Sequence, residues 1–299
     1  MEILVVLVIA WVLLMAAKSK PKARSSKARP AKAAQPVKST PAGRAAAQSG
    51  PKTKWEETDP RWKAPDAPEN GLYPADYLAK LRVQKEERNA QDSHYKFVVI
   101  NLETTGLDGN EDDILQVSIV DNEGNTLIDQ RCKPGKVKKW EDAAEVNEIY
   151  FADVAYCPTF EQIAEYVQDI LSRSAKIMAY QRQYKQWFLD THGVDHKKFK
   201  WSKDIARSAL HYYNVQKGRN RQKWLSLDDV AEMTGFTGET DTCLERAEAT
   251  RYIYIFLEDW EKRLKEWTKR QREEEAAALK NVSTMDTKTP PPGDSGGDA

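Results

Sequence analysis

The chain has 299 residues, with 46 Lys/Arg against 46 Asp/Glu, for a formal net charge of zero. The balance is a sum of opposites: residues 1–54 hold eleven basic side chains and one acid, Glu2, for +10, and residues 55–299 carry −10. Such a length fits one or two domains, 40% apolar content allows a core, and three scattered cysteines (Cys132, Cys157, Cys243) exclude a disulfide framework or a zinc cluster.

From Ile3 to Ala17 the chain is uncharged and apolar. As a helix it would measure about 22 Å, short of a hydrocarbon core of about 30 Å, but snorkelling lysines and bilayer thinning make a span feasible. A cleaved signal peptide is the rival reading, and it wants positive charge ahead of the apolar run. Here Glu2 precedes the run and every positive charge follows it. Residues 1–17 are therefore expected to be a single-pass transmembrane anchor, N-terminus outside and the remaining chain cytoplasmic. Residues 18–54 combine Lys, Arg, Ala, Pro, Ser and Gln without an acid or an aromatic, so they read as a disordered linker. The basic residues nearest the anchor, up to Arg29, make membrane lipid the first expected partner, at about 1 kcal/mol per cation.

Residues 55–92 form a Trp/Pro-rich segment followed by an expected helix over Pro74–Arg88. Lys96–Leu102, Asp113–Asp121, Thr126–Lys133 and Ala175–Tyr180 read as strands. Thr159–Arg173 is an amphipathic helix, and further helices are expected at Arg182–Thr191, Lys203–Tyr213, Leu227–Thr234 and from Asp241 onward. Ser226 with Asp229 has capping-box spacing, and Gly235 fits a helix stop. This order predicts an α/β body over 93–260, a polar helical extension over 261–280 and a disordered tail over 281–299.

The stretch Phe97–Leu107, FVVINLETTGL, resembles the first motif of the DnaQ-like (DEDDh) 3′–5′ exonucleases, a strand carrying D-x-E followed by T-T-G. The resemblance continues through DILQVSIVD, Val146–Val154, Pro158-Thr159-Phe160, AYQRQYKQWFL and DTCLERAEAT, covering about Lys96–Leu257. It implies a ribonuclease-H-like mixed sheet flanked by helices. It also implies four carboxylates around two divalent ions, which activate a water and stabilise the leaving oxygen, with a histidine as base.

This chain departs from that pattern residue by residue. Asn101 stands for the first aspartate, Glu103 matches the second ligand, Lys185 replaces the third carboxylate, Asp241 replaces the histidine and Arg246 replaces the last aspartate. With only Glu103 surviving, a metal-free site is expected, in which Lys185 or Arg246 pairs with Glu103 or Asp241. No local change of register restores the third ligand, because Gln181–Leu189 holds no acid.

The binding half of the motif persists in Thr104, Thr105, Gly106 and Tyr184. A basic stretch over 197–223, including Arg219, Arg221 and Lys223, is interleaved with aromatics, a composition that suits single-stranded nucleic acid but equally suits a solvated loop over core aromatics. The body's −10 weighs against general affinity for nucleic acid. His192 and His196 read as a surface loop, and Cys243 as a small helix-packing residue. Ile253, Leu257, Trp260, Leu264 and Trp267 form a stripe that packs on the body or serves a dimer or partner, and Trp55 and Trp62 are candidate interface anchors.

Together these readings describe a membrane-tethered, catalytically inactive exonuclease-like module. It would bind a protein or nucleic-acid partner at the cytoplasmic membrane face and need no cofactor. Two rivals stand. One is a divergent 3′–5′ exonuclease on single-stranded DNA or RNA, using Mg²⁺ or Mn²⁺ and carboxylates such as Asp204, Glu245 or Asp241. The other is a tethered domain that only dimerises.

Overall fold

A computed structural model describes residues 59–218 and 224–286, with side chains to residue 277. The strands are Val98–Thr104 (β1), Ile114–Asp121 (β2), Thr126–Arg131 (β3) and Ile177–Met178 (β4). They form one mixed sheet in the order β3-β2-β1-β4, antiparallel except for β4, which runs parallel to β1. The fourth strand is shorter than its apolar run, because it pairs with β1 only at Val98 and Val99.

The helices are Pro74–Ala90 (α1), Glu141–Asn147 (α2), Phe151–Val154 (α3), Phe160–Ser172 (α4), Arg182–Thr191 (α5), Ile205–Lys217 (α6), Leu227–Thr234 (α7) and Cys243–Asp286 (α8). The two short helices α2 and α3 lack a periodic signal of their own. Trp140 holds them down, buried with Ala144, Ile149 and Val154 over Leu115 and donating from its indole to the Ile149 carbonyl at 2.7 Å.

Alternation along β1 divides the core. Val98, Ile100 and Leu102 face α4, whose Phe160, Ile163, Val167, Ile170 and Leu171 are buried with them. Each of those side chains contributes about 1.5–3 kcal/mol. The Gln162 carboxamide that accepts the Thr159 N–H contributes about 1 kcal/mol, so burial rather than capping holds α4 in place. Val99 faces the other way, into a second cluster with Val120, Ile205, Val230, Ile253 and Leu257 from β2, α6, α7 and α8. The Ser226 cap and the left-handed Gly235, φ +81°, bound α7 as their spacing predicts.

Trp62, read as an interface anchor, instead packs edge-on against Trp140 and Tyr150 with ring centroids 5.2 and 5.6 Å apart. The stripe on α8 divides: Ile253, Leu257 and Trp260 are buried, whereas Trp267 is exposed. The helix runs to Asp286, past the Asn281 at which a tail was expected to begin. No helix among the described residues is long and apolar enough to cross a membrane. The expected anchor at 1–17, the linker at 18–54, Trp55, and Arg219, Arg221 and Lys223 lie outside the described residues.

Candidate functional site

The second half of β1 turns polar on the face that Val99 occupies. Asn101 lies opposite Ser118, and Glu103 opposite Gln116. Asp129 on the next strand accepts hydrogen bonds from the Gln116 amide at 2.7 Å and the Ser118 hydroxyl at 2.6 Å. The N-terminus of α8 covers this patch through Cys243, which is buried beside Asn101. Burial pushes the Cys243 thiol up to about 12, so it remains a neutral thiol.

The Asn101 amide donates to Glu103 Oε1 at 3.1 Å and to the Cys243 carbonyl at 3.4 Å. An aspartate at 101 could do neither, since an ionised carboxylate only accepts. The departure from the motif at this position thus has its own bonding logic: an amide beside a carboxylate is attractive without a cation.

Lys185 comes from α5 and is buried, and its Nζ donates to the Leu102 carbonyl at 2.8 Å. The geometry of β1 explains why a donor is needed there. The Val98 N–H bonds toward β4, through the Lys176 carbonyl at 3.0 Å, and the two-residue period turns Leu102 to the same edge. Since β4 pairs only as far as Val99, the ammonium supplies the donor that the missing strand does not. Burial lowers the Lys185 pKa, while attraction from Glu103 and Cys243 opposes the shift and Arg246 reinforces it.

The expected ion pairs take another form. Among the described residues no ion pair within 4.0 Å joins Lys185 or Arg246 to Glu103 or Asp241. Arg246 donates instead to the Thr240 carbonyl at 3.0 Å and approaches Asp228 at 4.0 Å. Asp241 is exposed. Its N–H and that of Thr242 bond Glu245, whose carboxylate is held below the usual range chiefly by the Thr242 N–H. That carboxylate is committed to the start of α8. Glu103, an amide, a high-pKa thiol and a buried ammonium, with Asp129 already bonded to Gln116 and Ser118, do not fit a site for two divalent cations. Among the described residues no group of three or more His, Cys, Asp or Glu side chains is arranged to hold a metal ion.

The retained half of the motif bonds within itself. Tyr184 and Thr104 hydroxyls meet at 2.6 Å, and both reach the Gly106 carbonyl, at 3.0 and 2.7 Å. Burial pushes the Tyr184 phenol up to about 12. Thr105 donates to Asp112 at 3.1 Å, and the same Asp112 carboxylate fills the space a side chain at Gly106 would need.

Asp113 and His192 were not singled out from the sequence as a pair, and His192 is not on the surface. Both are buried, with His192 Nε2 at 3.7 Å from Asp113 Oδ1. The other ring nitrogen lies 2.8 Å from the Phe188 carbonyl. The left-handed Gly193 ends α5 and turns the chain inward there. Burial alone would raise the Asp113 pKa, but the imidazole and the N–H groups of Val137 and Lys136 outweigh it and hold the carboxyl below its usual range. Asp113 thereby ties the loop at 136–137 to β2, next to the Thr105 loop.

No protein-family model and no curated protein matches the chain. Among solved structures, exonuclease X in complex with 5′-overhanging duplex DNA is similar at 17% identity, over 55% of this chain and 91% of that one, with a TM-score of 0.43. A product-bound exonuclease I is similar at 14% identity, over 62% of this chain and 49% of that one, with a TM-score of 0.48. An E. coli exonuclease I structure with a dA16 oligonucleotide is similar at 14% identity, with coverage of 62% and 46% and a TM-score of 0.45. The chain spans about half the length of these exonuclease I structures.

Proposed function

We propose that this chain is a catalytically silent exonuclease-like module, tethered to a membrane by its N-terminal segment. There it acts as a binding or scaffold protein for a protein or nucleic-acid partner on the cytoplasmic face. The observation that carries the reading is Lys185: a buried ammonium bonded to the Leu102 carbonyl, at the position where the motif calls for a metal-binding carboxylate. A cation there opposes the divalent ions that the chemistry requires. Asn101, bonded to Glu103, and Arg246, turned to Thr240, support the same reading.

The test is a cleavage assay with the purified full chain on labelled single-stranded DNA and RNA, with Mg²⁺ and with Mn²⁺. The expected outcome is no trimming of the 3′ end. Trimming that disappears in Glu103→Gln would overturn the proposal in favour of a divergent exonuclease. A calorimetric titration with Mn²⁺ should likewise give no tight site that depends on Glu103.

A further inference from the structure

A cavity of about 380 Å³ lies between the starts of α5 and α6 and the side of α8, lined by Arg182, Lys203, Asp204, Arg207, His211 and Glu261, among others. None of these residues belongs to the Glu103 site. Of its two acids, Asp204 is occupied. Asp204 caps α6 through the Ala206 N–H at 3.0 Å and also accepts the Arg182 N–H at 3.1 Å. Glu261 faces Lys203 at 3.9 Å, an exposed contact that contributes little.

The two arginines are differently placed. Arg182 is fixed by its guanidinium bond to the Ser202 carbonyl at 2.5 Å, yet its Nε is buried without a hydrogen-bond partner. A buried N–H left unpaired is costly, so the Arg182 guanidinium gains if a bound acceptor draws it toward the cavity. Arg207 is exposed, and its side chain has no ion pair or hydrogen bond among the described residues. The first turn of α6, a 13-residue helix, adds the positive end of its dipole to the same wall.

We propose that this cavity binds a phosphate group, held between the Arg182 and Arg207 guanidiniums with Lys203 and His211 at its rim. Arginine forks suit phosphate oxygens, and the three cationic side chains Arg182, Lys203 and Arg207 outnumber the two acids of the wall. The phosphate has two sources of the same chemistry, a small phosphomonoester or the phosphodiester of a nucleic-acid strand. The inference stands apart from the reading of the Glu103 site, and its test involves no cleavage.

The test uses the full chain at low ionic strength, titrated by calorimetry with inorganic phosphate, with adenosine 5′-monophosphate, and with a deoxyoligonucleotide lacking terminal phosphates. Saturable binding of at least one probe is expected, weakened about tenfold by Arg207→Ala and by Arg182→Gln. Lys217→Ala, on the same helix outside the cavity, should change it less than about twofold. Preference for inorganic phosphate or the nucleotide identifies a small ligand, and preference for the oligonucleotide identifies a strand. Because Arg207 is exposed, its variant should fold as the parent does. Failure of all three probes to bind, binding untouched by Arg207→Ala, or equal loss in Lys217→Ala would each overturn the proposal.

Discussion

At the scale of single residues, Lys185 makes a measurable commitment. Its pKa is lowered by burial, and its unfolded reference is 10.5. Between the folded value and that reference, the unfolded state binds more protons, so this residue makes stability rise with pH across the window. Lys185→Met removes the charge and keeps the length, but it leaves the Leu102 carbonyl without its donor. The gain in desolvation and the loss of that bond offset each other, so the net change at about pH 7 should stay within about 1.5 kcal/mol. Urea unfolding at about pH 7 and about pH 10 checks the sign: the variant should fare better relative to the parent at the lower pH. Parallel pH profiles would contradict the assignment. Asn101 works at the same scale, since its amide satisfies Glu103 without a cation.

At the scale of elements, α1 is fastened to α4 by charge as well as by Leu81. Asp169 on α4 bonds Arg88 of α1 at 3.1 Å and Arg173 at 3.0 Å, and Arg173 also reaches the Asn89 side chain. The Arg88 and Asp169 side chains are only 9% and 12% exposed, so the pair is poorly screened. Truncation as Asp169→Ala strands the Arg88 guanidinium against the interface and should cost about 3–5 kcal/mol in denaturant unfolding. A loss below about 1 kcal/mol would mean that water solvates the arginines freely. The helix α8 shows the opposite case. Its apolar stripe is used by the body through Trp260, and then Trp267 emerges into solvent while the helix continues.

At the scale of the whole molecule, the N-terminal 54 residues and the remainder carry opposite net charges. In the proposed tether, the basic residues after the apolar run would orient it and attract anionic lipid, while the acidic body would be repelled by the same surface. Deletion of residues 2–17 should therefore move the protein from the membrane pellet to the soluble fraction, and unchanged pelleting would refute a membrane anchor.

Much of the architecture was legible in the sequence because it is written in local periodicity. β-branched runs marked β1 and β2, the apolar face of 159–173 marked α4, and Ser226 with Gly235 bounded α7. The short helices α2 and α3 were not legible, since their stability comes from Trp140 and Trp62 rather than from a pattern of their own. The sequence by itself also determined the charge content of the candidate site: no acid lies between Gln181 and Leu189, so no fold could supply the third carboxylate from there.

Only the tertiary structure decided how those charges are satisfied. Lys185 bonds the Leu102 carbonyl rather than pairing with Glu103 within 4.0 Å, because β4 stops short and leaves that edge of β1 open. Arg246 turns to Thr240 and Asp228, His192 goes inward to Asp113, and Arg182 and Arg207 line one cavity. Each of these depends on where a side chain points from one element toward another. Residue spacing records the face of a helix or strand, and it carries no information about what stands opposite.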